Sequence, residues 1–153
     1  AFADLDGDGD LDAFIGAWNG GTVYFRNSGA ASAPAFAAAS SNPFGLVDVG
    51  YNASPAFADL DGDRDLDALI GEVGGNTLYF ENSGSATAPA FAASISNPFG
   101  LGGVGESASP AFADLDGDGD LEAVVGNEEG HTAYFRNVSV MPRARLPLAL
   151  RSA

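Results

Sequence analysis

Residues 4–12 read DLDGDGDLD, five aspartates on alternate positions of a nine-residue stretch. Carboxylates held this close repel one another unless a cation sits among them. The stretch returns as DLDGDRDLD at 59–67 and as DLDGDGDLE at 114–122. A loop that only had to be soluble would not keep one spacing three times. Of the 21 acidic residues, 15 lie in these three loops, so the charge answers a local need.

The loops also set a period. Residues 1–55 and 56–110 align without a gap and agree at 39 of 55 positions. A third copy follows the pattern from 111 to Asn137, after which VSVMPRARLPLALRSA departs from it. Self-similarity at a fixed spacing marks a repeat architecture whose unit is one supersecondary element. The chain therefore divides into a first unit (1–55), a second (56–110), a partial third (111–137) and a non-repeat tail (138–153). It begins at Ala1 rather than at methionine and reads as a mature or trimmed fragment.

Within a unit, short apolar runs alternate with turn residues. SPAFADL (54–60), LDAFIGAW (11–18) and TVYFRN (22–27) carry the β-branched and aromatic residues of strands, and NGG (19–21) is a tight-turn signal. AFAAAS (35–40) is expected as a weaker fourth strand, since Pro34 and Pro43 bracket a run too short for a stable helix. A long loop, 41–53, leads onward. The expected fold class is all-β: a β-propeller-like array of four-stranded antiparallel blades, about 2.5–3 blades of 55-residue repeats. Tyr24-Phe25, Tyr79-Phe80 and Tyr134-Phe135 are expected to pack between blades. Closed propellers have roughly four to eight blades. The blades here are thus expected to join missing blades of a longer chain, to close a ring with other copies, or to stack openly. In the tail, RLPLALR (145–151) or VSVM (138–141) would serve as a closing or donor strand, with Pro142 and Pro147 favouring an edge position.

Numbered from Asp4, the first loop places Asp4, Asp6, Asp8 and Asp12 at positions 1, 3, 5 and 9, with Gly9 at 6 and Asp10 at 7. Calcium takes six to eight oxygens, and carboxylates at 1, 3 and 5 of a curled loop converge on one point. Position 6 needs the positive φ that glycine permits, position 7 offers its backbone carbonyl, and position 9 closes the shell. The Asp10 side chain would then face solvent. Magnesium suits the pattern less, because it keeps its waters. An EF-hand needs a glutamate at position 12, where Ile15, Ile70 and Val125 stand. In the second loop Arg64 replaces glycine at position 6, which makes this the weakest site. In the third, Glu122 replaces aspartate at position 9 with a longer reach.

The pattern D-x-D-x-D-G-x-x-D between two strands, followed by IG or VG, resembles the FG-GAP/VCBS repeats of integrin-α-type β-propellers over about residues 1–137. The resemblance implies up to three structural Ca2+ ions, one per repeat between the first two strands of each blade. The ligands it implies are Asp4, Asp6, Asp8, Asp10 and Asp12; Asp59, Asp61, Asp63, Asp65 and Asp67; and Asp114, Asp116, Asp118, Asp120 and Glu122. It also implies extracellular or cell-surface adhesion and recognition, including carbohydrate binding by some propeller lectins. Weak calcium sites suit extracellular modules.

Composition narrows the partners. A net charge of −15 argues against nucleic acid and anionic membrane surfaces. There is no cysteine for a disulfide or zinc–thiolate site, and no stretch approaches a membrane span. His131 is the only histidine and no phosphate-cradling loop is present, so the chain is not expected to be an enzyme. The tips after the second strand differ most between units (AWNGG, EVGGN, NEEGH), and Trp18 is the candidate ligand contact there. Three readings stand: a calcium-stabilised module recognising carbohydrate or a cell-surface protein, a self-assembling structural protein joined through edge strands, and an accessory domain of an enzyme.

Overall fold

The computed structural model describes residues 1–137. They form eleven strands in three antiparallel sheets. The first sheet runs β1 (Phe2–Ala3), β2 (Asp12–Gly16), β3 (Thr22–Phe25), β4 (Ser40–Ser41). The second repeats it as β5 (Ser54–Ala58), β6 (Asp67–Gly71), β7 (Thr77–Phe80), β8 (Ile95–Ser96). The third holds β9 (Ser109–Ala113), β10 (Glu122–Gly126), β11 (Thr132–Phe135). Each sheet is a simple meander in which neighbours in sequence pair in space. The chain is all-β and built of propeller-like blades, and the three sheets do not close into a ring among the described residues.

The fourth strand differs from expectation. Of the run 35–40, read as the weaker fourth strand, only Ser40 joins the strand ladder, together with Ser41 just beyond it, opposite Tyr24 and Val23. Pairing starts at an isolated bridge between Asn27 and Phe36, and one extra residue then breaks the ladder before Ser40 meets Tyr24. Asn27 Oδ1 accepts from the N–H groups of Gly29 and Ala35, which staples the turn at 28–35 shut beside that bridge. The second unit repeats this with Asn82. The tail segments proposed as closing strands lie outside the described residues.

Nearly identical strands bury differently because of where they stand. DAFIG of β2 alternates buried and open positions, whereas DALIG of β6 is buried throughout, having a blade on either side. The core between the first two blades is aromatic. Phe14 packs on Tyr24 at 4.7 Å and on Phe57 at 4.5 Å, and Tyr24 meets the edge of Phe44 at 5.1 Å. Tyr24, Tyr79 and Phe80 are buried, as expected for residues between blades. Tyr134 stays half exposed, because no blade packs beyond the third among the described residues. Two details let the blades meet. A Cβ on Gly16 would stand 1.8 Å from the Ala53 carbonyl oxygen, so only glycine allows the second strand to approach the entry to the next blade. In SNPFG (41–45), Phe44 adopts φ 58, a conformation costing on the order of 1–2 kcal/mol. Its ring packing on Tyr24 offsets that cost, and Asn42 Oδ1 anchors the turn by accepting from the Thr22 N–H at 2.8 Å.

Candidate metal centre

Each acidic loop joins the first strand of a blade to the second. Its curl is built from aspartate side chains that accept hydrogen bonds from N–H groups a few residues on, a local turn chemistry that aspartate favours. In the second loop Asp59 takes the Gly62 and Arg64 N–H groups at 2.8 and 3.1 Å, and in the third Asp114 takes those of Gly117 and Gly119 at 2.7 and 3.2 Å. In the first, Asp4 takes the Gly9 N–H at 3.0 Å. Position 6 has positive φ in all three loops, as the sequence required: 92° at Gly9, 81° at Arg64 and 98° at Gly119.

This curl brings one oxygen each from Asp4, Asp6 and Asp8 within 4.8 Å of one another, and likewise Asp59, Asp61 and Asp63. In the third loop the trio is Asp114, Asp116 and Glu122, the glutamate reaching in where Asp118 does not. Oxygens so spaced match ligands sharing one calcium at about 2.3–2.6 Å. The donor set also asks for a cation. Asp4 Oδ1 and Glu122 Oε1 are buried with no hydrogen-bond partner, a costly state for a charged oxygen unless something neutralises it. The residues fit a hard divalent ion.

Position 7 does not join the trios. Asp10, Asp65 and Asp120 instead donate their N–H groups to Asp8, Asp63 and Asp118, each at 3.0 Å. Asp10 is half-buried rather than solvent-facing, and Asp65 is buried outright. Burial first, then the charge of Asp63, pushes the Asp65 carboxyl up to about 6.

Position 9 carries a role that the sequence reading missed. Asp12, Asp67 and Glu122 are fully buried. Asp12 accepts from the Asn27 N–H at 2.7 Å and the Tyr24 hydroxyl at 2.9 Å. Asp67 accepts from the Asn82 and Leu60 N–H groups at 2.8 and 3.1 Å. These carboxylates bolt the second strand to the end of the third and to the loop's own entry. Asp12 and Asp67 lie outside the oxygen trios of their loops, while Glu122 does both jobs, taking the Leu115 N–H at 2.8 Å. The available signal was the fixed offset from Asp12 to Tyr24 and Asn27, kept at Asp67, Tyr79 and Asn82.

Arginines were missed as well. Arg26 pairs through Nε with Asp6 and reaches Asp8 at 3.4 Å, and Arg136 pairs with Asp116 at 2.7 Å. The second blade has Glu81 in that place and its arginine inside the loop, at Arg64. Replacing Arg64 by glycine removes both the left-handed strain and a charge beside the site. If the second loop holds calcium, Arg64→Gly is expected to tighten it by about tenfold, the equivalent of ~1.4 kcal/mol. Calorimetric titration checks this, and unchanged affinity would show that Arg64 is not what limits the loop.

Trp18 stands on the tip between β2 and β3, 72% exposed, with its ring 5.1 Å from that of the half-exposed Tyr51. The structure thus adds Tyr51 to the candidate contact. The corresponding second-blade residues are Val73 and Glu106, so the aromatic pair belongs to the first blade alone. Among the described residues, no helix is long and apolar enough to cross a membrane.

Antiparallel blades repeating in tandem, each with an acidic loop between its first two strands, define a propeller-type repeat protein. The chain belongs to the FG-GAP-like repeat family, whose model matches residues 4–70 and again 59–125, each match starting at the first aspartate of a loop. No curated protein and no solved structure matches the chain.

Proposed function

We propose that the chain is an extracellular, calcium-stabilised recognition module in which the metal is structural rather than catalytic. The observation that carries this reading is the trio of converging carboxylate oxygens formed in every repeat, with unpartnered buried oxygens at Asp4 and Glu122. Asp4, Asp6 and Asp8, with Asp59, Asp61 and Asp63, and Asp114, Asp116 and Glu122, would hold one ion each. The ion supplies the positive charge that lets the first hairpin of each blade keep its curl. A scaffold fixed this way can present the tips on one rim, where the exposed Trp18 ring, tilted 58° to that of Tyr51, offers an aromatic face suited to the apolar face of a sugar ring or to a protein loop.

A second reading, assembly with further blades or other copies, is favoured by the exposed end faces. Phe2, Leu11 and Phe36 of the first blade are exposed, while their counterparts Phe57, Leu66 and Phe91 pack at the first blade junction. Leu115 and Tyr134 are exposed on the third blade.

Calorimetry with calcium, followed by mass measurement with and without chelator, tests both readings. We expect two to three ions to bind at millimolar to sub-millimolar affinity and the particle mass to hold steady. Calcium-dependent large particles would favour assembly, and no heat of binding would sink the metal reading.

A further inference from the structure

In the first acidic loop the turn bonds divide the two oxygens of each carboxylate. Asp6 Oδ1 accepts from the Asp8 N–H at 3.4 Å, and Asp8 Oδ1 accepts from the Asp10 N–H at 3.0 Å. Both Oδ2 atoms are thereby left to a cation. Arg26, the residue after β3, reaches across and takes both: its Nε pairs with Asp6 Oδ2, and its Nη2 stands 3.4 Å from Asp8 Oδ2. Asp6 Oδ2 is buried and has no hydrogen bond besides that ion pair. The third loop repeats the division. Asp116 Oδ1 accepts from the Asp118 N–H at 3.3 Å. Arg136, the residue after β11, holds Asp116 Oδ2 through Nε at 3.1 Å and Nη2 at 2.7 Å. In the second loop Asp61 and Asp63 engage Oδ1 in the same way, but Glu81 stands where the arginine would be. A planar, always-charged guanidinium fork is well shaped to stand in for a cation between carboxylates.

We infer that Arg26 and Arg136 are displaceable internal counter-ions: each lies on oxygens that calcium would take in its loop, and calcium binds there by pushing the guanidinium aside. This builds on the calcium reading of the same loops and adds a competitor that the chain itself supplies. The replacement is incomplete. Asp4 Oδ1 in the first loop and Glu122 Oε1 in the third stay buried without a hydrogen-bond partner, and both residues belong to the oxygen trios. An ion that gathers all three carboxylates therefore satisfies oxygens that the arginine does not reach. Leaving is also easy. The Arg26 and Arg136 side chains are 55% and 60% exposed, and ion pairs this open to water are weak. Without calcium the two arginines hold the first and third loops against their own charge, and with calcium they are released to solvent. The second loop has no such substitute at position 81.

The test compares the full chain with Arg26→Gln, Arg136→Gln and the double variant in about 0.15 M salt, where long-range charge effects are largely screened. Calorimetry reads calcium affinity, and thermal unfolding is followed in metal-free and calcium-saturated protein. Arg26→Gln is expected to tighten calcium binding by roughly threefold, and Arg136→Gln, which frees one carboxylate rather than two, by less. The double variant is expected to lower the metal-free midpoint by on the order of 3 °C and to leave the calcium-saturated midpoint where it was. Calcium binding that is unchanged or weaker in Arg26→Gln would overturn the inference, weaker binding marking Arg26 as a residue that positions Asp6 and Asp8 for the metal. So would a calcium-saturated midpoint that falls as far as the metal-free one, because the ion pairs would then persist beside the bound ion. Binding that appears only in the variants would support displacement in its strongest form. No calcium binding by the unsubstituted chain or by any variant would sink the calcium reading itself, and displacement with it.

Discussion

Saturating calcium is expected to raise the midpoint of thermal unfolding by about 10–20 °C over the metal-free protein. Each ion that binds only the folded chain contributes about 2.7 kcal/mol at a hundredfold excess over its dissociation constant. A domain of this size shifts by roughly 2–4 °C per kcal/mol. The first and third loops alone, about 5.4 kcal/mol together, give roughly that range, and an ion in the second loop would add to it. The pH dependence should differ between the two forms. In the metal-free protein the Asp65 carboxyl, pushed up to about 6, takes a proton more readily in the folded than in the unfolded chain. Its folded value lies above its unfolded one, so the folded state binds more protons across that window. The metal-free protein therefore loses stability as pH rises from about 4 through about 6. The calcium-loaded protein moves the other way, since protons compete with the metal for the carboxylates. Scanning calorimetry of dialysed and calcium-loaded samples at several pH values reads both effects. Equal midpoints with and without calcium would show that the acidic loops hold their shape without a metal.

The second large effect belongs to Asp67. Removing its carboxylate by Asp67→Ala leaves the Asn82 and Leu60 N–H groups without their acceptor inside the central blade. A buried donor left unpaired costs ~1–3 kcal/mol. The variant is expected to lose about 3 kcal/mol, with a fall in midpoint of roughly 6–12 °C. The decisive feature is that this loss persists in metal-free protein. Asp61→Ala, by contrast, should destabilise chiefly the calcium-loaded form, because Asp61 belongs to the oxygen trio and its one bond, from the Asp63 N–H, is solvent-exposed. If Asp67→Ala were harmless once calcium was removed, position 9 would be a ligand and nothing more.

These two residues mark how far the sequence could be read. Asp61 and Asp67 look alike in the string DLDGDRDLD, and both were read as ligands. What separates them is the strand that Asp67 begins. Burial on β6 turns its carboxylate towards the end of β7, and the loop's curl turns Asp61 inwards on itself. The positive φ at Arg64 was legible, because the neighbouring copies carry glycine there. The Arg26–Asp6 pair was not, because the two stand twenty residues apart and only strand pairing brings them together.

The sequence by itself determined the 55-residue unit, the strand-and-turn character of each run, and the convergence of the acidic loops. All of these follow from interactions within a few residues of one another, and the repeat states them more than once. Tertiary structure alone decided what each copy becomes. DAFIG and DALIG are nearly one string, yet Ile15 is half exposed and Ile70 fully buried. Likewise Tyr79 is covered and Tyr134 is not. Local propensity is the same in every copy, whereas burial depends on which blades stand alongside.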